Sequence, residues 1–232
     1  MLLQLVVGLA LGAIFCLTPL ALYLSWLAAV NRRPSPTILS GGWDLVGTLA
    51  GLSGFLLFGG GIVVAAVESN VRFALRGNWA QIQEVWGQER VSWAAIALGY
   101  VLILAGSVGL ALLNRFSTLS VYNLRREDAE AMIDETLAEA GVPAVRQGNL
   151  WSAGRDVLRI DPFPPFRHVS FRILTPDPLL AEEIDRVLRE KIARAQAAGG
   201  PVSGWLYSAA LVCTLSVVCS LLLLTYIVYL TR

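Results

Sequence analysis

Charge is scarce in this chain. Only 15% of its 232 residues are Asp, Glu, Lys or Arg, against about 25% in ordinary soluble domains. With 56% hydrophobic residues and a positive mean hydropathy, that deficit excludes an ordinary soluble domain and points to the membrane class. Histidine occurs once, as His168, and lysine once, as Lys191. One histidine cannot supply the partners that a histidine-built zinc site or an imidazole-based catalytic constellation requires. Cysteine is limited to Cys16, Cys213 and Cys219, each inside an apolar run, which argues against a disulfide framework or a thiolate metal cluster. The net charge of +1 gives no electrostatic case for nucleic acid. There is no P-loop, nucleophile elbow, zinc-protease helix motif or CxxC. The expectation is therefore no catalytic residue, no metal and no cofactor.

Uncharged segments are what the chain has in quantity. Four runs exceed the ~20 apolar residues needed to span a bilayer: Met1 to Val30, Asp44 to Glu68, Trp93 to Asn114, and Gly204 to Thr231. The first lacks the basic start of a signal peptide and is too long for its apolar region, so it reads as a retained helix, with a kink expected at Pro19. Trp26, Trp43, Trp93, Trp205, Tyr207, Tyr226 and Tyr229 fall near run ends, where amphipathic rings favour the headgroup level. No ionisable side chain lies deep in any run, and Asp44 sits at a boundary, which argues against a proton- or ion-coupled transporter.

The expected fold is an α-helical membrane protein of four transmembrane helices with an inserted two-layer α+β domain, in the order β-α-β-β-(β)-α. Residues 1–114 hold three spans, with an interfacial segment at 69–92 where Val71, Leu75, Trp79, Ile82 and Trp86 share a helical face. Residues 115–200 form the α+β domain, and 201–232 the fourth span. Within the domain, "RREDAEAMIDETLAEAG" reads as a helix stopped by Gly141. "DPLLAEEIDRVLREKIARAQ" reads as a helix capped by Asp177 with Pro178 at its first position. In "FRHVSFRIL" Val169, Phe171 and Ile173 point one way, and His168, Ser170 and Arg172 the other. That pattern makes His168 a surface strand residue.

Basic residues number fourteen in the 31–42 and 115–203 segments, against Arg72, Arg76, Arg90 and Arg232 in the others. The excess places the domain in the cytoplasm and both termini outside, and arginine outnumbering lysine 17 to 1 hints at a bacterial coding style, hence a bacterial inner membrane. Two sets of residues carry interaction signals. Gly47, Gly51 and Gly54 in the second run, with Gly106 and Gly109 in the third, fit close helix packing, with a break at the triplet Gly59–Gly61 that opens a site as the lesser alternative. Arg159, Arg172, Phe163 and Phe166 are candidates for partner or lipid contact. The pattern fits a non-enzymatic structural, accessory or regulatory subunit of a membrane assembly. Its partners would be the bilayer and another membrane protein or its own copies, without nucleic acid. The alternative is an oligomeric channel or small-solute permease. A membrane enzyme with its site between Arg32, Arg33 and the domain ranks last.

Overall fold

The computed structural model describes residues 2–75, 89–115, 117–164, 167–197 and 202–230. In chain order these form helix α1 (Leu2–Asn31), strand β1 (Thr37–Ser40), helix α2 (Gly41–Leu75) and helix α3 (Glu89–Arg115). Strand β2 (Thr118–Tyr122), helix α4 (Arg126–Glu139) and strands β3 (Val145–Gln147), β4 (Leu150–Ser152), β5 (Asp156–Phe163) and β6 (His168–Ile173) follow. Helices α5 (Pro178–Arg194) and α6 (Val202–Leu230) complete the order. Among the described residues, four helical stretches are long and apolar enough to cross a membrane: Val6–Asn31, Gly41–Ile62, Ala94–Arg115 and Val202–Leu230. Of the expected interfacial segment 69–92, residues 69–75 continue α2 and 89–92 begin α3. Residues 76–88, with Trp79 and Trp86, lie outside the described residues.

The chain divides into two compact units. One comprises Met1–Ala21, Leu49–Leu112 and Val212–Arg232; the other comprises Leu22–Thr48 and Leu113–Leu211.

The first unit is helical, and a proline and a glycine define its closest seam. Helix α1 runs on through Pro19, which has no N–H to offer the Phe15 carbonyl four residues back. Helix α2 passes at that same carbonyl. A Cβ on Gly54 would overlap the Phe15 carbonyl oxygen and lie 2.6 Å from Cys16 Cα, so only glycine fits there. The ring of Phe58 fills the space over Gly12, 2.7 Å from where a Cβ would stand. Helix α3 meets α2 at Gly60, where a Cβ would lie 2.5 Å from the Tyr100 ring, and the Tyr100 hydroxyl donates to the Leu56 carbonyl at 2.7 Å. The lesser alternative of a break at Gly59–Gly61 does not hold, because α2 is continuous across it.

The second unit is built on a six-stranded antiparallel sheet, in the order β1-β2-β6-β5-β4-β3. Four strands follow α4 where two or three were expected, and the β2–α4–β3 connection passes over the three strands between. Leu119, Val121, Leu158, Ile160, Val169 and Phe171 pack from one sheet face against Ala129, Ile133 and Leu137 of α4 and Ile184, Leu188 and Ile192 of α5. The two helices end as their sequences dictate. Gly141 takes φ +67° after α4, and the Val142 N–H donates back to the Leu137 carbonyl. Asp177 Oδ1 accepts from the Leu179 and Leu180 amides at the start of α5.

Strand β1 comes from the segment read as a loop between the first two spans. It pairs along β2 from Thr37↔Tyr122 to Ser40↔Leu119. Its alternation serves two cores at once: Ile38 packs on the helix-covered face, and Leu39 joins a second cluster on the other face. That second cluster holds Leu27, Ala28 and Val30 of α1, Tyr122 of β2 and Leu206 of α6. The ends of the long helices thus cover part of the sheet's other face.

Candidate functional site

Strand alternation puts Ser120 and Tyr122 of β2, and His168 and Ser170 of β6, on the face away from α4 and α5. The ladder sets Tyr122 opposite His168 and Ser120 opposite Ser170. The Tyr122 and His168 rings lie 4.7 Å apart, and Trp26 of α1 meets Tyr122 edge-on at 6.0 Å. Into this pocket of aromatic and hydroxyl groups the first turn of α2 inserts one carboxylate, Asp44, which is only 5% exposed.

An unpartnered carboxylate in such a place would cost several kcal/mol, so its partners decide whether the unit holds together. Ser120 Oγ donates to Asp44 Oδ2 at 2.9 Å, and the Tyr122 hydroxyl donates to Oδ1. Arg115 Nη1, from the last residue of α3, stands 3.6 Å from Oδ2, and His168 Nε2 stands at the same distance. The first turn of a helix adds exposed amides and a favourable dipole. Thr48 Oγ1 donates to the Asp44 carbonyl at 3.0 Å and shares a 3.1 Å hydrogen bond with the Tyr23 hydroxyl. One carboxylate thereby ties α2, α3 and β2 together, with α1 one hydrogen bond further out.

The electrostatics follow from burial. The Tyr122 phenol is pushed far above its ordinary value, first by burial and then by its hydrogen bond and charge interaction with Asp44, so it remains a donor at any ordinary pH. Burial holds His168 below its ordinary value; Asp44 opposes that shift and Arg115 adds to it. Nε2 is buried without a hydrogen-bond partner among the described residues, since 3.6 Å to Asp44 is beyond bonding distance. The imidazole is therefore a neutral wall of the cluster. This corrects the expectation of a surface strand histidine: its side chain is 14% exposed. The alternation in β6 was read correctly, but its polar side is covered here by helix ends.

Chemically, the group resembles an acid–base constellation without access. Both Asp44 oxygens already accept a hydroxyl, leaving little for a substrate to reach. Among the described residues, no three His, Cys, Asp or Glu side chains come together to hold a metal. Arg32 and Arg33, proposed to flank an enzyme site, make these contacts. Arg32 lies over the Tyr207 ring at 5.1 Å, and the Arg33 carbonyl accepts from Asn123 Nδ2 at 2.8 Å.

The glycines divide between the units. Gly54 forms the closest seam, Gly51 is buried on α2, and Gly47 makes ordinary contact with Tyr23 at 3.8 Å. A Cβ at Gly106 or Gly109 would meet nothing within 4 Å, so among the described residues these two do not pack against another helix; Gly60 takes that part on α2. Of the contact candidates, Phe166 lies outside the described residues. Phe163 is 49% exposed. Arg159 and Arg172 are exposed and directly opposite each other in the β5–β6 ladder, a like-charge pairing that is unfavourable. Asp161 relieves it, 3.3 Å from Arg159.

Sequence reasoning missed Asp44, Ser120, Tyr122 and Arg115. One signal was present: Asp44 is the only acidic residue before Glu68, and a lone carboxylate beside an apolar run requires a partner. No family model, curated protein or solved structure matches the chain, so its function is argued from this geometry.

Proposed function

We propose that the chain is a non-enzymatic accessory subunit of a membrane assembly, with its sheet unit meeting a partner protein or a second copy. In this reading it crosses a bacterial inner membrane four times, with the sheet unit in the cytoplasm and both termini outside. The arginine excess of the 31–42 and 115–203 segments supports that orientation. The observation that carries the proposal is the occupied Asp44. The buried cluster around Asp44, which has acid–base character, has its carboxylate taken up in joining helix ends to the sheet. The cross-strand arginines Arg159 and Arg172 offer an acidic partner surface a place to bind.

The channel alternative draws less support. Ser53, Ser216 and Ser220 each donate to a carbonyl of their own helix, at 2.7, 2.9 and 2.8 Å, so these hydroxyls are satisfied without a water-filled lumen. The test is to extract the full chain from its source membrane in mild detergent and measure its mass and co-purifying species. A stoichiometric partner or a discrete oligomer is expected. A lone monomer that conducts solute in liposomes would overturn the proposal.

A further inference from the structure

Two side chains compete for one oxygen of Asp44. Arg115 Nη1 and His168 Nε2 each stand 3.6 Å from Oδ2, which also accepts from Ser120. At neutral pH only the arginine of this pair is charged, and Nε2 has no hydrogen-bond partner among the described residues. A proton on the imidazole changes that balance. Both nitrogens of an imidazolium are donors, and Nε2 then faces a carboxylate oxygen from roughly 0.7 Å beyond an ordinary N–H···O length. The two cations are not equally free to leave. Arg115 is 47% exposed on a long side chain, so water can take over its guanidinium. His168 is 14% exposed, sits in the β2–β6 ladder opposite Tyr122 and lies against that ring at 4.7 Å. Buried there, an imidazolium needs the carboxylate.

A proton has a way in, because His168 also lines a cavity of about 290 Å³ beside the start of α4. Arg125, Arg126 and Glu127 face it from that side, with Arg167 just before β6. Elsewhere the titratable neighbours are the Tyr122 hydroxyl, Tyr23 of α1 beyond Trp26, and Asp161 on the same face of β5, which is paired with Arg159. Burial holds the ring below its ordinary value, with Asp44 opposing and Arg115 adding, so protonation comes below about pH 6.5. We propose that His168 and Arg115 exchange at Asp44 as the pH falls: the imidazolium takes the carboxylate, and the guanidinium swings out to water. The end of α3 is then untied from the cluster while α2 stays attached. Since α3 carries an apolar stretch long enough to cross a bilayer, acid is sensed at the foot of that stretch. The exchange does not depend on the chain being an accessory subunit.

His168 is the only histidine, so the full chain labelled with carbon-13 at histidine Cε1 gives a single resonance. The test follows that resonance in mild detergent from about pH 8 to about pH 5. Its titration midpoint should rise in Arg115→Gln, which removes a repelling charge, and fall in Asp44→Asn, which removes the attracting one. Coupling is reciprocal, so the same exchange is read from the arginine side by thermal unfolding. Arg115→Gln should lower the unfolding midpoint at about pH 7.5, and that loss should shrink at about pH 5, where the guanidinium has already left. In a His168→Gln background the loss should be the same at both pH values. An Arg115→Gln titration midpoint equal to wild type, or a resonance that keeps its neutral position down to about pH 5, would overturn the exchange. An Arg115→Gln loss as large in acid as at neutral pH, in the chain that keeps His168, would overturn it as well.

Discussion

Replacing Asp44 tests whether one carboxylate holds the sheet unit to the first turn of α2. Asp44→Ala leaves the Ser120 and Tyr122 hydroxyls buried without an acceptor and Arg115 without its neighbouring charge. Breaking a buried charged cluster by removing one member costs about 3–5 kcal/mol. At roughly 3 °C per kcal/mol for a chain of this length, the unfolding midpoint should fall by about 12 °C. Asp44→Asn keeps the shape but turns an amide donor toward one of the two hydroxyls, so its cost should be smaller, about 1–3 kcal/mol. Tyr122→Phe removes one hydrogen bond to a charged acceptor, worth about 1.5–3 kcal/mol. Since Tyr122 and Asp44 act on each other, the double variant Asp44→Asn, Tyr122→Phe should lose at least about 1 kcal/mol less than the two singles together. Thermal unfolding in detergent, followed by circular dichroism, measures all four variants against wild type. An Asp44→Ala midpoint equal to wild type, or strictly additive singles, would refute the reasoning.

Other predictions follow from the same geometry. Gly54→Ala forces a methyl into the α1 backbone and should lower stability by about 1–3 kcal/mol, while Gly106→Ala, which meets open space, should not; detergent melting curves separate them. Because burial holds His168 below its unfolded value of about 6.5, the unfolded state takes up the proton first as pH falls. Stability is therefore full above about pH 6.5 and declines below it, toward the folded-state value. His168→Gln should flatten the midpoint difference between about pH 7.5 and about pH 5.5, and an unchanged slope would count against a buried neutral imidazole. Lys191 bridges α5 to Glu135 and Glu139 of α4 at 3.1 and 2.6 Å, but these carboxylates are exposed, so Lys191→Met should leave the midpoint nearly unchanged in the same melts. Reporter tags at residue 150 and at the carboxyl end should report opposite membrane faces, and the same face for both would undo the four-crossing orientation.

Much of this fold was legible because its signals are local. The four apolar runs became the four long helices, and Asp177 with Pro178 and Gly141 marked a helix start and a helix stop from chemistry within a turn of each position. The alternation of β6 told which residues share a face. It could not tell what covers that face, because covering is decided by segments more than seventy residues away: Asp44 lies 76 positions from Ser120 and 78 from Tyr122. Strand β1 was missed for a related reason. Four residues after two prolines carry too short a pattern to register, and β1 exists because β2 offers it a ladder. Glycine spacing had the same limit. Gly54 and Gly106 look alike in sequence, and only the carbonyl exposed opposite Pro19 distinguishes them.

The attachment of the sheet to α2 is tested most directly by hydrogen exchange on the full chain, comparing wild type with Asp44→Asn under conditions where both are folded. The account predicts faster exchange confined to the first turn of α2 and to β1, β2 and β6, with α5 unchanged on the opposite face of the sheet. Unaltered protection of β2 and β6 would contradict it.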